Sequence, residues 1–418
     1  MEVRLVMKSY LTAVIIGGSH AASQLIAGLR QEGWEGRIIA VSDEQQLPYH
    51  HPPLSKNYLS GNTSAENLLI RKAATYEKLD IEWRLNTRAE RINRENKTVF
   101  LGNGDELKYD KLALCTGARV RKINIAGANL PGIHYLRNLV NAEDIRREIK
   151  PGGRAVIIGG GFIGLETAAL LRKQGMAVDV LVHSHRILRR VTADQVSDFY
   201  TRVHAEEGVQ IHTCEIPDCF EGKDRVESVI CVSGKRFLAD LVIIGIGIIP
   251  NTELAEDCGL SVDDGIVVDE YAATEEDRDI VAAGDCTRHP NAIYNRILRL
   301  ESVPNATEQA MTAAATICGK IKPYESVPWF WSDQYDLKLQ MTGLNDDYDR
   351  VVIRGDMEKS RSFVAWYFNR GKLVAADCVN RPLEFRAAQQ MLRERKSLSP
   401  EQLADESLEA KQLLELIK

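Results

Sequence analysis

The chain has 418 residues, 44% of them hydrophobic and 27% charged, the proportions of a globular protein large enough for several domains. Its formal net charge of −6 argues against a general nucleic-acid or membrane-surface partner, while leaving room for a local basic patch. No apolar run reaches the roughly 18 residues that span a bilayer. Met1 to Tyr10 lacks the apolar stretch and small-residue site of a secretory signal, and the 8 cysteines follow no framework spacing, so a reducing, cytoplasmic compartment is expected.

In chain order, Ala13-Val14-Ile15-Ile16 is an apolar run that ends in Gly17-Gly18. A helical stretch follows from His20, Ala21 and Ala22, then a second apolar run from Arg37 to Val41. Asp43 closes this unit, where an acid accepts from an adenosine ribose. Leu112 to Leu114 reads as a strand ending in the small-residue turn Thr116-Gly117. The offset that carries Ala13 to Ala155 then repeats the first unit as Ala155-Val156-Ile157-Ile158-Gly159-Gly160, a helical stretch, and the run Ala177 to Val182. Two strand–turn–helix–strand units imply an α/β fold with parallel sheets.

Glycine suits such turns because backbone N–H groups at a helix start point at an anion, and a side chain would hold a pyrophosphate away. The second copy is complete, Gly159-x-Gly161-x-x-Gly164 around Phe162 and Ile163. The first is degenerate, Gly17-x-Ser19-x-x-Ala22. Two such turns imply two nucleotides, a tightly held flavin and a nicotinamide. Further on, Asp240 to Pro250 gives a strand and a turn with Gly247, and Asp279 to Gly284 a strand with Asp285 at its carboxyl end, placed to bond a cofactor hydroxyl. Ser302 reads as a helix cap, with Val303 and Pro304 in the first turn.

The expected architecture is two Rossmann-like nucleotide-binding domains plus an α+β C-terminal domain. The FAD-binding domain is expected at 1–118 and 244–328, the NAD(P)H-binding domain at 119–243, and an antiparallel sheet with helices at 329–418.

Several stretches carry a resemblance to one family: Leu47 to Lys56, Tyr135-Leu136-Arg137, Gly159 to Glu166, Gly284-Asp285-Cys286, Glu301 to Ala306 and Pro328 to Gln334. They resemble the bacterial ferredoxin reductases of oxygenase systems, within a wider glutathione reductase-like group. The resemblance implies an FAD enzyme that draws on NADH or NADPH and passes electrons singly to a two-iron ferredoxin, which feeds a cytochrome mono-oxygenase or a ring-hydroxylating dioxygenase. A monomer is expected, with no nucleic-acid or membrane partner. Carried over by position, it implies FAD contacts at Ala21, Asp43, Lys56, Ala89, Arg137, Asp285, Val303 and Trp331. Lys56 would lie near the flavin N5 and pair with Glu166. Trp331 would sit where the ferredoxin docks, and Arg71 and Lys338 match or adjoin docking positions. Trp329 and Trp331 are expected on opposite faces of a strand, one of them in the core.

Two departures stand out. Ser19 replaces the second glycine of the first turn, which is expected to loosen flavin binding. At the end of the second strand of the nicotinamide unit, about where relatives selective for NADH carry an acid, stands Val182. His183, Ser184, His185 and Arg186 follow, with Arg189 one turn on, a neighbourhood that suits a 2′-phosphate. The competing readings are a flavin disulfide or peroxide reductase, which needs a reactive cysteine, and a redox signalling protein like apoptosis-inducing factor, which would favour a basic surface. Cys214 and Cys219 are closely spaced but lie in the nicotinamide unit. Cys115 and Cys286 read as small buried hydrophobes. The pair His50-His51 lacks a third ligand, so no metal is expected.

Overall fold

The computed structural model describes residues 11–417, so the reading made of Met1 to Tyr10 lies outside it. By internal contact the chain divides into two units. One comprises Met1–His50, Leu69–Ala118 and Pro250–Ser326, the other His51–Leu68, Arg119–Ile249 and Val327–Lys418.

In the first unit five parallel strands lie in the order Ile280–Ala282, Lys111–Leu114, Thr12–Ile16, Arg37–Val41, Ile81–Arg84. The inner strands Thr12–Ile16 and Arg37–Val41 read as near-continuous apolar runs because both faces of the sheet are covered there. Ala13, Ile15, Ile38 and Ala40 pack to one side with the helix His20–Glu32. Val14, Ile16, Ile39 and Val41 pack to the other. The helix Val303–Ile317 lies against His20–Glu32. Their approach is close because a Cβ on Gly28 would come within 2.9 Å of the Ala314 methyl.

The second unit repeats the plan. Its parallel sheet runs Val209–Thr213, Ala177–Val182, Arg154–Ile158, Leu241–Ile244, Ile133–Tyr135. In each unit the strand before the glycine turn is central, flanked by the strand after the helix and by a strand from much later in the chain. The internal repeat in the sequence is therefore a repeat of topology. The same unit contains a five-stranded antiparallel sheet from Trp329–Gln334, Leu337–Gly343, Lys372–Val379, Phe363–Asn369 and Arg350–Arg354, followed by the helix Pro382–Glu394. No helix among the described residues is long and apolar enough to cross a membrane.

Two expectations differ from the structure. The stretch His51–Leu68, read as part of the first domain, packs within the second unit: Leu59 joins its core, and the Tyr58 hydroxyl donates to Glu143 at 2.9 Å. Trp329 and Trp331 share a face, with ring centroids 5.6 Å apart. The physical reason is the pleat itself, since residues two apart on a strand point the same way. The opposite face of this strand carries Phe330, Ser332 and Gln334.

Within the antiparallel sheet Asp377 is fully buried, its carboxylate accepting from the Tyr367 hydroxyl, which in turn accepts from the Ala193 backbone N–H at 3.0 Å. Burial pushes the Asp377 carboxyl up to about 7, against the lowering effect of the Tyr367 bond. Between about 4, where the unfolded carboxyl titrates, and about 7 the folded protein keeps a proton that the unfolded chain has lost. Stability from this group therefore falls as pH rises through that window. Asp377→Asn is expected to flatten that part of the profile in urea titrations at several pH values. A variant with the wild-type slope would contradict the assignment.

Candidate functional site

The two glycine turns share one constraint. Gly17 has φ +136° and Gly159 φ +117°, a region open to glycine. A Cβ on Gly17 would lie 2.1 Å from the Cys115 carbonyl oxygen, and one on Gly159 would lie 2.2 Å from that of Gly245. Each turn thus lets the backbone pass directly beside the neighbouring strand's end. The second position is different. Ser19 has φ −126° and Gly161 φ −87°, both ordinary for any residue, and a Cβ on Gly161 meets nothing within 4 Å. Ser19 therefore fits its backbone without strain. The helices that follow, His20–Glu32 and Phe162–Lys173, have no side-chain cap. Asn138 and Ser302 cap their own helices. Two helix starts without a side-chain cap, each beside a turn with no room for a side chain, fit two dinucleotide phosphates.

In the first unit most expected cofactor positions converge at the carboxyl ends of the parallel strands. Gly17 lies over Cys115, next to Thr116 and Gly117. A Cβ on Gly18 would meet the Ser42 hydroxyl at 2.2 Å, one residue before the exposed Asp43. The backbone N–H of Thr87 donates to Ser42 at 2.8 Å, which brings the strand beginning at the buried Ala89 to the same edge. Gly284 packs against Ala21 and Ala306, which draws Asp285 and the helix start at Val303 alongside. His20 is buried, its ring 5.4 Å from that of His50.

Arg71, expected as a docking charge, is half-buried and bonded within its own unit. Its guanidinium donates to the Ser23 carbonyl at 3.1 Å, to the Ser23 hydroxyl, and to Gln24 Oε1 at 2.8 Å. It pins the first helix. Lys338 is exposed.

In the second unit Lys56 and Glu166 meet. Lys56 Nζ lies 2.7 Å from Glu166 Oε2, with Glu166 only 3% exposed. The Ser55 hydroxyl donates to the same oxygen at 2.5 Å and the Ser332 hydroxyl to Oε1 at 2.7 Å. A buried carboxylate is tolerated on such terms, paired and hydrogen-bonded on both oxygens. Ser55 and Ser332 have no role in the sequence reading, because each is separated from Glu166 by more than a hundred residues. Arg137, following the strand Ile133–Tyr135, and Trp331 are both half-buried in this unit.

The loop after Val182 is tied to the second turn. Val182 is buried, and its methyls would meet a Cβ on Gly160 at 3.0 Å. Its side chain thus packs under the turn. Leu188 N–H donates to the Gly160 carbonyl at 2.9 Å. Arg186 is structural, bonded to Asp194 at 2.7 Å and to the carbonyls of Arg189 and Thr192. His183, Arg189 and Arg190 are exposed. Arg190, absent from the sequence reading, lies 4.0 Å from where a Gly247 Cβ would stand, so the loop and the Gly247 turn face each other. Its signal was only the doubled arginine.

All eight cysteines are free. Burial pushes the Cys115 and Cys286 thiols up, which keeps them protonated and unreactive. Among the described residues, no three His, Cys, Asp or Glu side chains gather to hold a metal.

The family described as pyridine nucleotide-disulphide oxidoreductase matches residues 11–310, and that described as reductase C-terminal matches 329–414. The chain belongs to the pyridine nucleotide-disulphide oxidoreductases. It is similar to putidaredoxin reductase of Pseudomonas putida, 44% identical over 97% of each chain. It is 40% identical to rhodocoxin reductase of Rhodococcus erythropolis, covering 96% of this chain and 94% of that one. Among solved structures, a covalent putidaredoxin reductase–putidaredoxin complex contains a chain that matches with TM-score 0.94 and 43% identity, over 97% of this chain and 99% of that one. As a member of its family the protein is an oxidoreductase that works with FAD and a pyridine nucleotide. The family name mentions a disulphide; all eight cysteines here are free.

The two glycines of the second turn are expected to respond differently to an added methyl group. Gly159→Ala puts a methyl against a backbone oxygen at positive φ and is expected to cost about 1–3 kcal/mol. Gly161→Ala, with open space around its Cβ, is expected to change stability by less than about 0.5 kcal/mol. Thermal melts of the two variants check this, and equal losses would contradict it.

Proposed function

We propose that this reductase passes electrons from NAD(P)H to a two-iron ferredoxin in the cytoplasm, and that the ferredoxin serves a cytochrome mono-oxygenase or a ring-hydroxylating dioxygenase. The observation that carries this is the match along almost the whole chain, both domains included, to reductases named for their small redox partners. Burial raises the Cys115 and Cys286 thiols, the two that flank the first turn, which removes support from the disulfide-reductase reading.

In this reading the first unit holds FAD through Gly17, Gly18, His20, Ala21, Asp43, Ala89, Thr116, Gly117, Asp285 and Val303; Arg137, Lys56 and Trp331 are the further positions that the family resemblance assigns to FAD. The second holds the donor through Gly159, Gly161, Phe162, Ile163, Gly164, Glu166, His183, Arg189 and Gly247. When bound, FAD accepts two electrons at once from a nicotinamide and releases them one at a time. Each donor molecule thus reduces two one-electron carriers and leaves one proton in solution. The chain's own contribution is position and charge. The backbone N–H groups at the two helix starts bind phosphate, and Glu166 fixes the position of the Lys56 ammonium, the group the resemblance assigns to the flavin. The start of the helix Val303–Ile317 favours negative charge beside it.

Trp331→Ala is expected to slow ferredoxin reduction at least about tenfold more than ferricyanide reduction. The indole is assigned to the docking face, and losing one well-packed aromatic at an interface costs about 1–3 kcal/mol. Equal losses with both acceptors would make the residue structural only.

The donor preference follows from the loop after Val182. Val182 offers no carboxylate to repel a 2′-phosphate, and exposed His183 and Arg189 offer donors. NADPH is therefore expected to be used, and Arg189→Glu to move the ratio of kcat/KM toward NADH by about tenfold or more, since a charged hydrogen bond contributes about 1.5–3 kcal/mol. A wild-type preference for NADH of a hundredfold, unchanged in the variant, would refute this.

A further inference from the structure

The stretch Pro328 to Gln334 contains two buried polar residues that the function above does not use. Ser332 and Gln334 share the buried face of their strand with Phe330. The Phe330 ring packs on Phe162 at 4.8 Å, and Ser332 reaches Glu166. That face therefore runs along the helix Phe162–Lys173 at two positions one turn apart. One step further, Gln334 Nε2 lies 3.2 Å from Ser332 Oγ, and Gln334 Oε1 lies 2.8 Å from His204 Nε2. His204 Nδ1 lies 3.0 Å from the Tyr335 hydroxyl. Ser332, Gln334 and His204 are all buried.

The direction of every bond follows from one charge. A carboxylate only accepts, so Ser332 spends its single proton on Glu166 and its oxygen must accept. The group facing that oxygen is then the Gln334 amide N–H₂, which turns the amide oxygen to His204. His204 must donate from Nε2, which leaves Nδ1 to accept from Tyr335. Burial, which favours the neutral imidazole, agrees with a ring that carries one proton.

We propose that Tyr335, His204 and Gln334 are positioning residues, forming with Ser332 a one-way chain of donors that ends on Glu166 and holds its carboxylate in place for Lys56. The proposal rests on the flavin-side role assigned to the Lys56–Glu166 pair. It joins the C-terminal sheet and the helix Asp194–Glu206 to the helix of the second glycine turn.

Two measurements on the flavin-loaded protein test it. Nitrogen NMR of labelled histidine at neutral pH is expected to show His204 protonated at Nε2 and bare at Nδ1. Ser332→Ala, which leaves the His204 contacts untouched, is expected to give a mixture of tautomers. A wild-type ring protonated at Nδ1 or at both nitrogens, or an unchanged ring in Ser332→Ala, would overturn the chain. Rapid-mixing reduction of the flavin by saturating nicotinamide separates polarity from shape. His204→Gln keeps an amide donor near the Nε2 position, whereas His204→Phe keeps the ring and loses the donor. His204→Gln is expected within about threefold of wild type and His204→Phe about tenfold slower, the worth of one buried hydrogen bond, with nucleotide affinity unchanged in both. Phe matching or exceeding Gln would overturn the positioning role. So would equal rates in all three proteins, even with the expected tautomers, and that result would fault the pair's flavin-side role as well.

Discussion

Glu166 is a carboxylate shut away from water, and a charge in that position persists only if it is paired and fully hydrogen-bonded. Meeting that demand takes Lys56 and Ser55 from the short segment after His51 and Ser332 from the C-terminal sheet. It explains why His51–Leu68 packs with the second unit although it is read in sequence as part of the first. Removing either partner of such a pair costs far more than the pair contributes, because the remaining charge stays buried. The Lys56–Glu166 contact is therefore better regarded as a device for fixing geometry than as a source of stability.

The second constraint is steric. Where Gly17 and Gly159 turn, the chain passes so near a neighbouring carbonyl that no side chain fits. Two short central strands, each between parallel neighbours, deliver that turn to the same place in both units. In the proposed reading phosphate recognition is built from backbone, which would let Ser19 stand in one copy where the other has Gly161. The position has an ordinary φ, and a Cβ at the equivalent point meets nothing.

The parallel sheets and both turns were legible because their signals are local and repeated: β-branched runs, glycine spacing and a common offset. The antiparallel C-terminal sheet was visible in its alternating runs. What failed did so for identifiable reasons. The bonds from Arg71 to Ser23 and Gln24, 48 and 47 residues away, leave no mark in one dimension. Trp329 and Trp331 were assigned to opposite faces against the period of the strand. Arg186 looks like a phosphate donor, yet it braces its own loop against Asp194. The chain from Ser332 to His204 leaves no mark in sequence because its links join residues up to 166 positions apart, and only packing brings them together.

The most direct test of the account is an anaerobic titration of the flavin-loaded protein. NADH or NADPH is added first, then an oxidised two-iron ferredoxin, with flavin and ferredoxin absorbance followed together. The account predicts bleaching of FAD by one equivalent of nicotinamide, then recovery of the flavin as two equivalents of ferredoxin are reduced. A flavin that is bleached by nicotinamide but stays reduced in the presence of oxidised ferredoxins, while transferring its electrons to a disulfide or peroxide, would contradict it.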